Sequence, residues 1–275
     1  MKSILCIIPV MAVCTVMGAP AKPDVLFLLG GQSNMKGNGF TPDLPKTEAF
    51  AAFRSAPGNV SIWNDKRKRW EPLEIKQRFG PEIGFAYTLA QAQPDRHIGI
   101  IKHAVGGTSM DRWATDGELY GQLLGAYRNA QATVPDATLA AMLWHQGERD
   151  SGTEADAKAY KGKMVKHIAA IRRDTGEPNL LFMLGQINPA KSFMGRPRFA
   201  YAEIVRGAQA NLGVEHTLMV PTDDLEKNAY IRGAAATAAK DQVPGQEDNL
   251  HYSAKGQIEL GIRFAKTYLK TKEVK

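Results

Sequence analysis

Val25-Leu26-Phe27-Leu28-Leu29 runs without a polar side chain and then breaks into Gly30-Gly31-Gln32-Ser33-Asn34. A short aliphatic and aromatic run that ends in paired glycines reads as a buried strand closing in a tight turn. Ser33 is the first hydroxyl beyond that strand. Glycine lets the backbone fold sharply enough to present one side chain and its own N–H to a ligand. An α/β enzyme places a nucleophile at such a point. The plainer reading is a strand-to-helix loop whose serine caps the helix.

Working outward, apolar runs recur at Val25–Leu29, Ile98–Lys102, Leu139–Trp144, Leu180–Leu184 and Thr217–Val220. Helical periodicity falls around Glu82–Ala92, Tyr120–Thr133, Ala155–Arg173, Arg198–Leu212 and Ser253–Leu269. Strands alternating with helices predict crossover units and a mainly parallel, five-stranded sheet covered on both faces. Residues 22–275 read as a single domain. The stretch Lys36–Pro81, rich in Pro, Gly and charge, reads as an insertion over one end of the sheet.

The first 21 residues stand apart. Lys2 precedes an apolar run from Ile4 to Val16, and Ala19-Pro20-Ala21 fits a small-x-small cleavage pattern. That is the pattern of a secretory signal peptide, and the expectation is export to the periplasm or the outside of the cell. Both cysteines, Cys6 and Cys14, lie in this segment, so the mature chain is expected to have no disulfide and no thiolate chemistry. No later stretch is long and apolar enough to suggest a membrane span.

The formal net charge is +7, and Lys66-Arg67-Lys68-Arg69 is the densest basic run, flanked by Trp63 and Trp70. No nucleic-acid motif accompanies it, and a solvated loop is the plainer reading. For an exported enzyme the run also suggests steering of an anionic glycan, with the tryptophans offering faces to sugar rings.

In a doubly wound sheet, ligands sit beyond the carboxyl ends of the strands. The segments found there are Gly31-Gln32-Ser33-Asn34, His103-Ala104-Val105-Gly106-Gly107-Thr108-Ser109 and His145-Gln146-Gly147-Glu148. Asp248-Asn249-Leu250-His251 precedes the last helical pattern. A serine hydroxyl needs a base, and the base needs a third group to fix its tautomer. His251 is the candidate base and Asp248 the candidate orienter. Glu148 is the alternative, either pairing with His251 or holding nearby loops in place. The backbone N–H groups of Ser33 and Gly107 and the side-chain amide of Gln146 are the candidate oxyanion donors. His97, His103, His145, His167 and His216 show no metal-ligand spacing, so neither metal nor cofactor is expected. Met142, Met164 and Met183 sit in apolar patterns and read as core.

Together the blocks Gly31-Gln32-Ser33-Asn34-Met35, Gly80-Pro81-Glu82-Ile83-Gly84-Phe85, Gly106-Gly107-Thr108-Ser109, Trp144-His145-Gln146-Gly147-Glu148 and Asp248-Asn249-Leu250-His251 resemble the SGNH-hydrolase superfamily. The closer resemblance is to its sialate O-acetylesterase-like and acetyl xylan esterase branch. It implies a three-layer, flavodoxin-like α/β/α fold and removal of acetyl groups from sugars, with xylan or sialic acid as the acetylated carbohydrate. It also implies Ser33 as nucleophile, His251 as base, and Ser33, Gly107 and Gln146 around the oxyanion. Asp248 fits the Asp-x-x-His block, while Glu148 is a substitute for it among related esterases. Two other functions stay in view, a non-catalytic glycan-binding protein and a lipase-like esterase for longer acyl chains.

Overall fold

The structure is a computed structural model that describes residues 22–55, 57–190, 192–193, 196–232 and 242–273. The expected signal peptide and both cysteines lie outside the described residues.

The sheet strands are β1 (Val25–Gly31), β2 (Val60–Asn64), β3 (Arg69–Pro72), β4 (Ile98–Ala104), β5 (Thr138–His145), β6 (Leu181–Gly185) and β7 (Thr217–Val220). They form a seven-stranded sheet ordered β7-β6-β5-β1-β4-β2-β3. All neighbours run parallel except β3, which pairs antiparallel with β2 at the edge. The expected sheet of five strands is therefore corrected to seven. The two additional strands come from the stretch read as an insertion, so part of 36–81 extends the sheet instead of lying over it.

Alternation along β1 shows why the sheet needs cover on both faces. Val25, Phe27 and Leu29 pack with one apolar cluster, and Leu26 and Leu28 with the other. Helices α1 (Glu82–Ala92) and α5 (Ala254–Glu273) close the first side; α2 (Glu118–Thr133), α3 (Glu154–Thr175) and α4 (Ala202–Ala210) contribute to the second. The result is a three-layer α/β/α sandwich. Met142, Met164 and Met183 are buried in it. The Gly80–Phe85 block starts α1, where the nearly buried Glu82 takes the Gly80 N–H at 3.0 Å and pairs with Lys102 at 2.5 Å.

Strand order reverses at β1, which lies between β4 and β5. Gly31 is in register with Ala104 on one neighbour and His145 on the other. Three strands thus end level with one another, and their loops share one rim of the sheet.

Candidate active site

Gly31 makes the turn that presents Ser33. Its φ is +137°, and a β-carbon there would strike the His145 backbone carbonyl. The next N–H, of Gln32, donates to that same carbonyl at 2.9 Å. The chain is thus bound to the end of β5 just before a single helical turn, Ser33–Lys36. Ser33 stands half-buried at its start.

His251 reaches this serine from 218 residues away. Its Nε2 lies 3.0 Å from Ser33 Oγ. The other ring nitrogen lies 3.1 and 2.9 Å from the two carboxylate oxygens of Asp248. Asp248 also accepts the backbone N–H groups of Leu250 and His251, at 3.1 and 2.9 Å. A carboxylate held there keeps the proton on Nδ1 and leaves the Nε2 lone pair facing the hydroxyl. Phe193 sets its ring edge-to-face with the imidazole at 5.4 Å.

Ser33 and His251 open on a cavity of about 640 Å³, with Gly106 and Gly107 also on its wall. Gly107 has φ +70°, a left-handed conformation that lets its peptide approach a ligand with no side chain in the way. Arg149 and Arg198 line the same cavity.

Gln146 requires a correction. It is fully buried and is not on the cavity wall. Its amide donates to the Thr108 carbonyl at 2.8 Å and to Asp150 at 2.5 Å, which uses both protons. It therefore has none left for an oxyanion. It ties down the loop that carries Gly107 instead.

Glu148 does not touch the His251 ring, whose Nδ1 faces Asp248. Its Oε1 accepts from Asn34 Nδ2 at 3.2 Å, and its Oε2 is buried without a hydrogen-bond partner among the described residues. Burial pushes the Glu148 carboxyl up to about 7. Burial likewise raises Asp150 to about 6, against the hydrogen bonds from Met110 and Gln146 that favour its anion. Of the remaining histidines, His145 and His167 are sealed in the core and lowered by desolvation. Among the described residues, no group of three or more His, Cys, Asp or Glu is arranged to hold a metal ion. Nor, among them, is any helix long and apolar enough to cross a membrane.

The basic run forms the turn between β2 and β3, away from the Ser33 cavity. Arg67 and Arg69 both pair with Glu71, and Lys68 pairs with Asp65. Trp63 is buried and meets Trp70 edge-on, while Trp70 donates to Thr133 at 2.9 Å. These tryptophans pack the edge of the sheet and do not offer stacking faces to sugars in the Ser33 cavity.

Several residues at the site escaped the sequence reading. Asn34 lies inside the quoted tetrad yet drew no role. Asn188 follows β6, and its amide donates to the Asn249 carbonyl at 2.9 Å. It stands in the polar segment after the fourth apolar run, the counterpart of the segments that follow the first three. Arg149 and Arg198 carry no motif signal at all.

Comparison with known proteins identifies the fold and the family. A probable carbohydrate esterase of Arabidopsis thaliana is 24% identical over 279 residues, covering 91% of this chain and 92% of the relative. A solved structure from the same plant superposes with a TM-score of 0.69 at 23% identity, over 90% of this chain and 98% of the other. The NanS structure gives 0.72 at 17% identity, over 93% and 100%. Both likenesses establish the fold. Residues 23–270 match the family described as carbohydrate esterase, sialic acid-specific acetylesterase. By that match over nearly its whole length, the chain belongs to this family of SGNH-type sialate O-acetylesterases, and so to the carbohydrate O-acetylesterases.

Proposed function

We propose that the chain removes O-acetyl groups from carbohydrates through an acyl-enzyme on Ser33. The observation that carries this reading is the 3.0 Å approach of His251 Nε2 to Ser33 Oγ, backed by Asp248 on the far nitrogen. As Ser33 Oγ attacks the acetyl carbonyl, its proton passes to His251 Nε2. The developing oxyanion faces the N–H groups of Ser33 and Gly107. Collapse breaks the acetyl–sugar bond, and the imidazolium returns the proton to the departing sugar oxygen. Water, deprotonated by the same ring, then attacks acetyl-Ser33; the Oγ–acyl bond breaks, acetate leaves, and the imidazolium returns the proton to Ser33 Oγ.

The sugar is proposed to be acidic. Arg149 is exposed on the cavity wall and has no ion-pair partner among the described residues, and Arg198 joins it there. Asp156, a carboxylate on the same wall, has Lys163 at 3.9 Å. A guanidinium suits a planar sugar carboxylate such as that of sialic acid or glucuronic acid. Export by residues 1–21 is part of the same proposal and brings the enzyme to glycans outside the cytoplasm.

Ser33→Ala is expected to lower p-nitrophenyl acetate turnover by on the order of 10⁴-fold or more. Asp248→Asn is expected to cost a comparable factor, because the amide no longer enforces the tautomer. Near-normal rates in Ser33→Ala refute the serine mechanism.

A further inference from the structure

One side chain grips the peptide on both sides of His251. Asn34 Oδ1 accepts the Tyr252 N–H at 3.1 Å, and Asn34 Nδ2 donates to the Leu250 carbonyl at 3.2 Å. The carboxamide thus spans the two residues that flank the imidazole-bearing one. Its second amide proton goes to Glu148 Oε1, also at 3.2 Å. Asn34, Leu250, Tyr252 and Glu148 are all buried.

The polarity of these contacts is specific. Rotating the carboxamide by half a turn sets its oxygen against two acceptors, Leu250 O and Glu148 Oε1. It also sets its NH₂ against the Tyr252 N–H. An unsatisfied buried polar group is costly, so shape alone does not fill the role. Glu148 is what distinguishes the two ends from the side away from the loop.

Position in the chain matters equally. Asn34 is covalently next to Ser33, so its Cα lies one peptide unit, about 3.8 Å, from that of the nucleophile. Asp248 steadies the ring within its own loop but does not set how far the ring stands from Ser33. The route Ser33, Asn34, then Leu250 and Tyr252 ties the ring's loop directly to the nucleophile, beside the Asn188 amide on the Asn249 and Leu250 carbonyls and the Asn228 N–H on the His251 carbonyl.

Resting on the serine mechanism above, we infer that Asn34 is the positioning residue for the base. It registers His251 against Ser33, and Glu148 orients its carboxamide. Proton transfer needs heavy atoms within hydrogen-bond reach, and an error near 1 Å costs about 10²-fold in rate.

The test measures kcat, KM and melting temperature on p-nitrophenyl acetate for Ser33→Ala, Asn34→Ala, Asn34→Asp and the pair Asn34→Asp with Glu148→Gln. Asn34→Ala is expected to lower kcat about 10²-fold while KM stays within about threefold. Asn34→Asp keeps the volume, so it serves even where the alanine variant folds poorly. Assayed at pH 8, where Glu148 carries no proton to donate, it sets a carboxylate against Leu250 O and Glu148 and loses more than the alanine variant. Adding Glu148→Gln supplies a donor toward the introduced carboxylate and recovers about tenfold. Asn34→Ala with kcat within threefold of the parent overturns the inference, as does a loss carried by KM or by melting temperature alone. No recovery in the double variant overturns the role of Glu148. An inert Ser33→Ala beside a normal Asn34→Ala removes this inference and leaves the serine mechanism standing. An active Ser33→Ala removes both.

Discussion

Glu148 Oε1 stands 3.8 Å from Nδ1 of His145, with both side chains sealed from solvent. Such a pair reads as a salt bridge by distance alone. Burial decides otherwise, holding His145 down to about 3 and pushing Glu148 up to about 7. Near pH 5 both are neutral, and the contact is one of uncharged groups behind the proposed nucleophile.

This predicts a pH signature in stability. The unfolded chain releases the Glu148 proton above its ordinary value of 4.5, whereas the folded chain keeps it until about 7. The native state binds more protons in that window, so this group's contribution falls as pH rises through it. His145 and His167 work in the opposite direction, but they are common to parent and variant. Glu148→Gln keeps an accepting oxygen for Asn34 and cannot ionise. Its melting temperature relative to the parent is expected to be at least about 2 °C more favourable at pH 8 than at pH 5. An identical difference at both pH values contradicts the buried neutral carboxyl.

Gln146→Ala is expected to act through stability. The substitution strips the Thr108 carbonyl and Asp150 of a donor inside the protein. Loss of one side of a buried hydrogen-bond pair costs about 1–3 kcal/mol. Urea unfolding measures it directly. A variant as stable as the parent but slower by the factor of a lost oxyanion donor returns Gln146 to the cavity wall.

Charge recognition is separable from chemistry. Arg149→Glu is expected to raise KM for an O-acetylated sialic acid by about tenfold, with p-nitrophenyl acetate changed less than twofold. The effect on the acidic substrate shrinks in high salt, because the arginine is exposed. Equal shifts for both substrates argue against a carboxylate contact.

The central strands were legible because they are buried on both faces, which forces continuous apolar runs such as Val25–Leu29. β2 and β3 were not. Val60–Asn64 is short and broken by Ser61 and Asn64, and Arg69–Pro72 is an edge strand with exposed Arg69 and half-buried Glu71, so polar and charged residues hid them inside a stretch resembling a loop. At the site, Ser33 and Gly107 were read from residue type and placement after strands, Asp248 and His251 from their spacing just ahead of the last helix, and the structure gathers them at one rim. The direction of Gln146 was not readable. A loop amide faces solvent or core according to its partners, here Thr108 and Asp150, and those partners exist only once the sheet has formed. Glu148 and Asp248 likewise differ in reach, which only the turn of each loop decides.

The distance along the chain between hydroxyl and imidazole has a consequence for how the protein comes into being. On the proposed mechanism, a polypeptide cut short anywhere ahead of Asp248 holds an idle alcohol, however well its earlier strands have collapsed. Acetate release during refolding therefore times the docking of the C-terminal segment rather than the early gathering of the core. The enzyme carries within itself a reporter of its own completion.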